Sequence, residues 1–484
     1  MNSPAGLTSW KGLAVGGAIA LGAIALRIFL TGDEASQHLV FSTWGTPEEV
    51  ETFRQLIDRY NSERHPTHSV VLAHSEQYQY TERLLVRAAA HSLPDVIHLD
   101  RKDLPLYTRK GLLEDLTLYI REDTSVTPDD FLPELIASCT VGGRYYALPH
   151  NFSTLVLYYN RDHFDAEGIP YPDTTWTWET LVNVSRRLTR TGAAGETIRF
   201  GCLMQIAFPI LIYQNGGSIL NAPLDSCVIA SPEGVGSFQF AVDLSERHHV
   251  SWSMLAQNMQ WDDMVVGGRL SMIATGRWAA PVYFRAMGPG VMDIAPLPRG
   301  KLRRGGATVH VMGIAAESDK KAEAWEFVKY LVSEEGQRLA NKDGVSISAR
   351  RSVAMSDEFL RHPAFPGLNS RVFLDELPAS VVWPYEQGPY VSTYTLQSQL
   401  ERAMRRVLLG EATVRESLLK MEEEVNNVIR ASRQSAVPVP FVGSAVFYLC
   451  AASLIGVAGV AWVYGSRRRQ RGVRINPIAP PPLP

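Results

Sequence analysis

The sequence predicts an α/β protein of two lobes, flanked at each end by a membrane-spanning helix. Three observations carry this expectation. Short apolar runs alternate with amphipathic stretches from residue 38 onward. The stretch between the two ends is some four hundred residues, which is too long for a single hydrophobic core. Two long apolar segments, Gly12 to Leu30 and Phe441 to Tyr464, bracket that stretch.

Each bracketing segment is long enough to cross a bilayer core of ~30 Å, which takes about 20 helical residues. Arg27 alone interrupts the first, and the second carries no charge. Lys11 precedes the first, while Asp33 and Glu34 follow it; Arg467, Arg468, Arg469 and Arg471 follow the second. Basic flanks stay in the cytoplasm, so both ends point inward and the middle is exported. The alternative for the first segment is a cleaved signal peptide. Thr31-Gly32-Asp33-Glu34 is a poor cleavage site, and no cysteine is there to carry a lipid, which favours an uncleaved anchor. Residues 1–37 are thus read as a signal anchor, 38–432 as the exported domain, 441–464 as a second span and 465–484 as a basic, Pro-rich tail. The expected location is the cell membrane, with the exported domain periplasmic or extracellular.

All acidic residues lie between the two segments, and 7 of the 47 basic residues lie outside, leaving 40 basic against 50 acidic in the exported part. That balance argues against nucleic acid and anionic lipid as ligands. Cysteine is sparse: Cys139, Cys202 and Cys227 are exported, and pairing of Cys202 with Cys227 is left open. No Cys/His spacing of metal type occurs, and the adjacent His248 and His249 point in different directions. No metal or cofactor is expected.

In chain order, Leu39 to Ser42 reads as a buried strand. Thr46 is the N-cap of the following helix, with Pro47 at its first position and Glu49 closing a capping box. That helix buries Val50, Phe53, Ile57 and Tyr60 at helical spacing. A strand over Ser69–Ala73, a helix from about Tyr80 to Ala90 and a strand over Asp95–Leu99 complete a βαβαβ start. Such a start implies a parallel sheet covered on both faces. Further on, Val156–Tyr159 reads as a strand and Trp178 to Arg190 as a helix. A helix through Ala322, Trp325, Val328 and Leu331 ends at Gly336. Two more run through Leu396–Leu408 and from Val414 to about Arg430. Gly305-Gly306 reads as a turn.

A series of phrases then stands out in order. Tyr145-Tyr146-Ala147-Leu148-Pro149 leads to Leu157-Tyr158-Tyr159-Asn160-Arg161-Asp162-His163-Phe164, Gly168-Ile169-Pro170 and Thr175-Trp176-Thr177-Trp178. Gly268-Arg269-Leu270-Ser271-Met272, Thr275-Gly276-Arg277-Trp278 and Ala295-Pro296-Leu297-Pro298-Arg299-Gly300 follow. Over residues 38–432 this resembles the extracellular solute-binding proteins of ABC importers, in the sugar-binding family that includes maltose-binding protein. The resemblance implies a two-lobed periplasmic-binding-protein fold with a hinge; the N- and C-terminal transmembrane helices expected to flank it are read from the apolar segments, and the C-terminal one departs from the family. It places lobe one at about 38–150 and 298–346, and lobe two at about 151–297 and 347–432. The chain would cross between lobes near Pro149–Ser153, Pro296–Gly300 and Ser346–Arg350. The implied partners are a carbohydrate and the permease subunits of an ABC transporter.

Sugars present hydroxyls around flat C–H patches, so their sites combine aromatic faces with charged or amide groups. Trp278, on the family's Gly-x-Trp phrase, is the first candidate. Trp44 follows at a strand end, where such sheets gather ligands. Asp100 and Arg101 follow the third strand, and Glu76 and Gln77 the second. Asn151 and Ser153 fall on the first crossover; Trp383 and Tyr385 form a Trp-Pro-Tyr phrase in lobe two. For each, packing or a solvated ion pair is the competing role. No Walker loop, His-Glu-x-x-His or Gly-x-Ser-x-Gly occurs, so no enzyme is indicated. The alternative function is a solute sensor signalling through a separate membrane partner.

Overall fold

A computed structural model describes residues 38–204, 207–253, 261–382 and 388–434. The chain divides after Ile429 into two compact units. The first holds both main sheets; of the second, only the end of the C-terminal helix, to Gln434, is described.

The elements that position the site run as follows. Strand β1 (Leu39–Thr43) leads into helix α1 (Pro47–Arg64). The capping box forms as its residues dictate: Glu49 N donates to Thr46 Oγ1 (3.3 Å) and Thr46 N donates to Glu49 Oε2 (2.8 Å). The αL residue His65 ends this helix. Strand β2 (Val70–His74), helix α2 (Gln77–Ala89) and strand β3 (Val96–Asp100) complete the βαβαβ unit. Strands β4 (Leu148–Thr154) and β5 (Val156–Asn160) are buried at every residue, and only Leu155 separates them. Helices α3 (Trp178–Leu188) and α4 (Pro232–Glu246) come next, then strand β6 (Met272–Thr275), helix α5 (Ala280–Met287) and strand β7 (Met292–Ala295). Strand β8 (Gly305–Ile314), helices α6 (Lys321–Val332) and α7 (Glu334–Ala340), and short strands β9 (Ile347–Ser348) and β10 (Ser380–Val382) follow. Helices α8 (Thr393–Leu408) and α9 (Val414–Gln434) end the described chain.

The larger sheet has the order β9-β4-β8-β3-β1-β2, with β10 against the start of β8. Only β1, β2, β3 and the β8–β10 pair run parallel; β8 is antiparallel to β3 and β4. The expected all-parallel sheet is therefore a mixed one. The reason lies in β8, which returns from the smaller sheet and enters between β3 and β4 in the opposite sense. Gly305-Gly306 is accordingly not a turn but the start of β8, where a Cβ on Gly305 would stand 2.8 Å from Ser380 Oγ. The smaller sheet, β6-β5-β7, is antiparallel.

The alternation of β5 splits its side chains between two cores. Val156 and Tyr158 join a cluster continuous with the larger sheet, while Leu157 and Tyr159 join a second one that takes in α4, α8 and α9. Helix α6 ends before the expected Gly336. Ser333 breaks it and caps α7, accepting from Gly336 N (3.0 Å). Cys139, Cys202 and Cys227 are buried free thiols, so Cys202 and Cys227 are not paired.

The expected fold class is corrected on one point. Among the described residues no helix is long and apolar enough to cross a membrane. The segments 12–30 and 441–464 lie outside the described residues. The architecture that stands is the two-lobed α/β fold alone.

Candidate functional site

A cleft of about 810 Å³ lies between α1, on the larger sheet, and α5, beside the smaller one. Pro47, Glu48, Glu51, Thr52 and Gln55 line one wall; Pro281, Phe284 and Arg285 line the other. Its floor is Lys342, Asp343 and Val345 with His362, Ala364 and Phe365. The capping box fixes the first turn of α1, and with it the wall that Glu48 and Glu51 occupy.

Glu48, Thr52, Asp343 and Val345 also border a smaller recess of about 40 Å³. Trp44, Phe53, His98, His150, Asn151 and His310 line it. Register brings these together: His310 on β8 pairs with Asn151 on β4 and with Asp100 on β3. Trp44 stacks on His98 (4.3 Å between ring centroids, 15° apart) and meets His310 edge-on at 5.3 Å. Burial holds His98 well below the usual histidine value, helped by His310 and His150. Burial, with His310 beside it, pushes His150 down to about 3. His310 is also lowered, chiefly by burial, although Asp100 and Glu49 pull it upward and Lys102 adds to the lowering. All three rings are neutral at pH 7.

The expected site residues fall into separate groups. Trp44 and Asn151 meet in the recess. Asp100 sits at the end of β3, ion-paired with Lys102 (2.9 Å) and accepting from Lys102 N (3.1 Å). Arg101 Nε donates to the carbonyl of Ser138 (2.6 Å). Ser153 Oγ accepts from Arg277 N (2.7 Å), which ties β4 to the turn carrying Trp278. Trp278 is 37% exposed, and its ring folds over its own backbone, so that a Cβ on Gly276 would fall 2.1 Å from it. Glu76 is exposed just ahead of α2, and the side chain of Gln77 is not described. Trp383 and Tyr385 lie outside the described residues.

Arg277, next to Trp278, is fully buried. Its Nε donates to the carbonyl of Gly344 (2.9 Å) and Nη1 to Ser370 Oγ (3.0 Å). Phe359, Phe365 and Phe373 face its guanidinium at 5.0, 4.6 and 5.4 Å. Burial lowers it to about 10, so it remains charged at neutral pH. Sequence reasoning missed Arg277 and the three histidines. The available signal was a histidine inside each of three apolar strands, in Val96-Ile97-His98-Leu99, Leu148-Pro149-His150 and Val309-His310-Val311.

The sequence profile of the bacterial extracellular solute-binding proteins matches residues 44–338, more than half of the chain. The chain belongs to that family. It is a solute-binding protein and not an enzyme. An uncharacterised lipoprotein from the oleD 5′ region of Streptomyces antibioticus is 25% identical over 316 residues, which span 59% of this chain and 64% of that relative. The fold matches an ABC substrate-binding protein of Listeria monocytogenes in complex with cycloalternan, at a TM-score of 0.71 and 22% identity. That match covers 81% of this chain and 98% of the other. It also matches maltose-bound MalE3 of T. maritima at a TM-score of 0.66 and 23% identity, over 81% and 99% of the two chains. At these identities the solved structures establish the fold of this solute-binding protein and nothing finer.

Proposed function

We propose that this solute-binding protein is the extracytoplasmic receptor of an ABC importer, and that it takes a carbohydrate into the α1–α5 cleft and presents it to a permease. The observation that carries the reading is the cleft itself. Its two walls belong to different sheets, and polar and charged side chains sit beside Phe284 and Phe365. Related proteins of the same fold are described with cycloalternan and with maltose. Lobe one is about 38–150 and 298–346, and lobe two about 151–297 and 347–432, closing about a hinge when a ligand bridges both walls. Trp278 is the proposed stacking face, with Trp44 and Asn151 at the rear of the cleft. Asp100, Arg101, Glu76, Gln77, Ser153, Trp383 and Tyr385 are secondary candidates. Attachment to the membrane is part of the reading, supported by the Streptomyces antibioticus relative being a lipoprotein.

The test is a thermal-shift screen of the full chain against oligosaccharides, monosaccharides, polyols and sugar phosphates. A ligand that binds only the folded form raises the midpoint with its concentration above Kd. A shift with an oligosaccharide that Trp278→Ala removes, at unchanged ligand-free midpoint, supports the reading. No shift with any carbohydrate, from folded protein, rejects it.

A further inference from the structure

The recess behind the cleft gathers unpaired polar atoms. Thr43 Oγ1 lies within hydrogen-bond distance of both the carbonyl of Trp44 (3.0 Å) and His98 Nδ1 (2.8 Å), so that ring nitrogen is partnered. Nε2 of His98 has no hydrogen-bond partner among the described residues, nor has either ring nitrogen of His150 or Oδ1 of Asn151. These side chains are deeply buried, with His98 3%, His150 1% and Asn151 9% exposed. A neutral His150 presents one lone pair and one N–H whichever nitrogen holds its proton, and Asn151 Oδ1 is an acceptor only. Acceptors left unpaired at such depth are costly, so a donor-rich group is favoured there.

Charge narrows the choice further. Glu48, Glu49 and Asp343 line the recess, and none of its described lining residues is Lys or Arg. Glu49 is held in place by Thr46 N, and Asp343 Oδ2 accepts from Thr52 Oγ1 (3.3 Å). Lone pairs surrounded by carboxylates suit a positive charge that brings its own protons. Among the described residues no group of three or more His, Cys, Asp or Glu side chains is placed to hold a metal ion, whereas an ammonium group brings its own donors to these acceptors. A recess of about 40 Å³ accommodates a group the size of one or two waters. It shares Glu48, Thr52, Asp343 and Val345 with the cleft, so a ligand lying in the cleft can extend a single substituent into it.

We propose that the recess formed by His98, His150, Asn151 and the adjacent carboxylates receives a protonated amine, so that the cleft prefers amino sugars to neutral sugars. This rests on the carbohydrate-receptor reading and names its substrate class. The experiment is calorimetric titration of the full chain at pH 7 with the β-1,4 glucosamine dimer, its N,N′-diacetylated form and maltose. The free-amine dimer should bind at least tenfold more tightly than either of the others. Glu48→Gln combined with Asp343→Asn, both at exposed positions, should reduce that ratio below threefold. Maltose or the acetylated dimer binding as tightly as the amine overturns the inference and leaves the carbohydrate reading intact. Absence of binding by all three, together with no response to any carbohydrate in the wider screen, removes both. Stoichiometric Zn²⁺ binding that is lost in His98→Gln would instead assign the recess to a metal and overturn the amine.

Discussion

Three neutral imidazoles beside Trp44 make the stability of this fold depend on pH in a definite direction. Their folded values lie below the unfolded value of about 6.5, so below that pH the unfolded chain binds protons that the native one does not. Stability is full above pH ~6.5 and declines as pH falls toward the folded values, by about 1.4 kcal/mol per pH unit for each histidine well inside that window. His163, half-buried and lowered to about 4, acts in the same direction. Asp103, raised to about 6 by burial, opposes it, because its native form takes up a proton before the unfolded one does. Urea midpoints measured from pH 7.5 to 5 should therefore fall with acid, and His150→Gln should flatten the slope. A pH-independent midpoint across that range would contradict the buried, neutral assignment. The second residue-scale prediction concerns Gly276. Its missing Cβ gives the Trp278 ring its place, so Gly276→Ala should weaken carbohydrate binding tenfold or more with a small loss of stability, as measured by titration and melting together.

At the scale of elements, Arg277 acts as a cross-brace. It hangs from the turn after β6 yet donates to Gly344, beyond α7, and to Ser370. Three phenyl rings and two oxygens surround its charge. Arg277→Ala removes both donors and opens a cavity, so a loss of about 3 kcal/mol in urea unfolding is expected. Arg277→Lys should recover little of it, since an ammonium cannot reproduce the planar fork. The break between α6 and α7 is a second brace. A Cβ at Gly336 would sit 2.2 Å from the carbonyl of Tyr330, so Gly336→Ala should cost roughly 2 kcal/mol even though alanine favours helix. The elements that were legible in the sequence were those with local signals. The capping box at Thr46, the βαβαβ run and the helix at Trp178 each depend on residues within about one turn or strand of each other. The position of β8 was not legible. Nothing near Gly305 indicates that this strand runs antiparallel between β3 and β4, because register is set by partners as distant in sequence as Thr154 and Val96. The recess went unread for the same reason, since His98, His150 and His310 converge only once that register exists.

At the scale of the whole molecule, the proposed closure has to take place at the crossings between sheets. The chain passes directly from β4 to β5 through Leu155, and from β7 to β8 through residues 296–304. Short links between two sheets favour rotation of one against the other over local unfolding. Ligand bridging α1 and α5 should then draw their facing surfaces together. Cysteines placed at Glu51 and Arg285, exposed on opposite walls, report that approach directly. The native Cys139, Cys202 and Cys227 are buried and free, so with Cys450→Ser in the same chain only the two introduced thiols should react readily. A short bismaleimide should bridge them several-fold faster with saturating ligand than without it. The Arg277→Ala brace variant, if folded, should narrow that difference by releasing the carbonyl of Gly344, between the floor residues Asp343 and Val345. Equal rates with and without a ligand that demonstrably binds would mean that the cleft is preformed, and that recognition by a permease must depend on the bound solute rather than on closure.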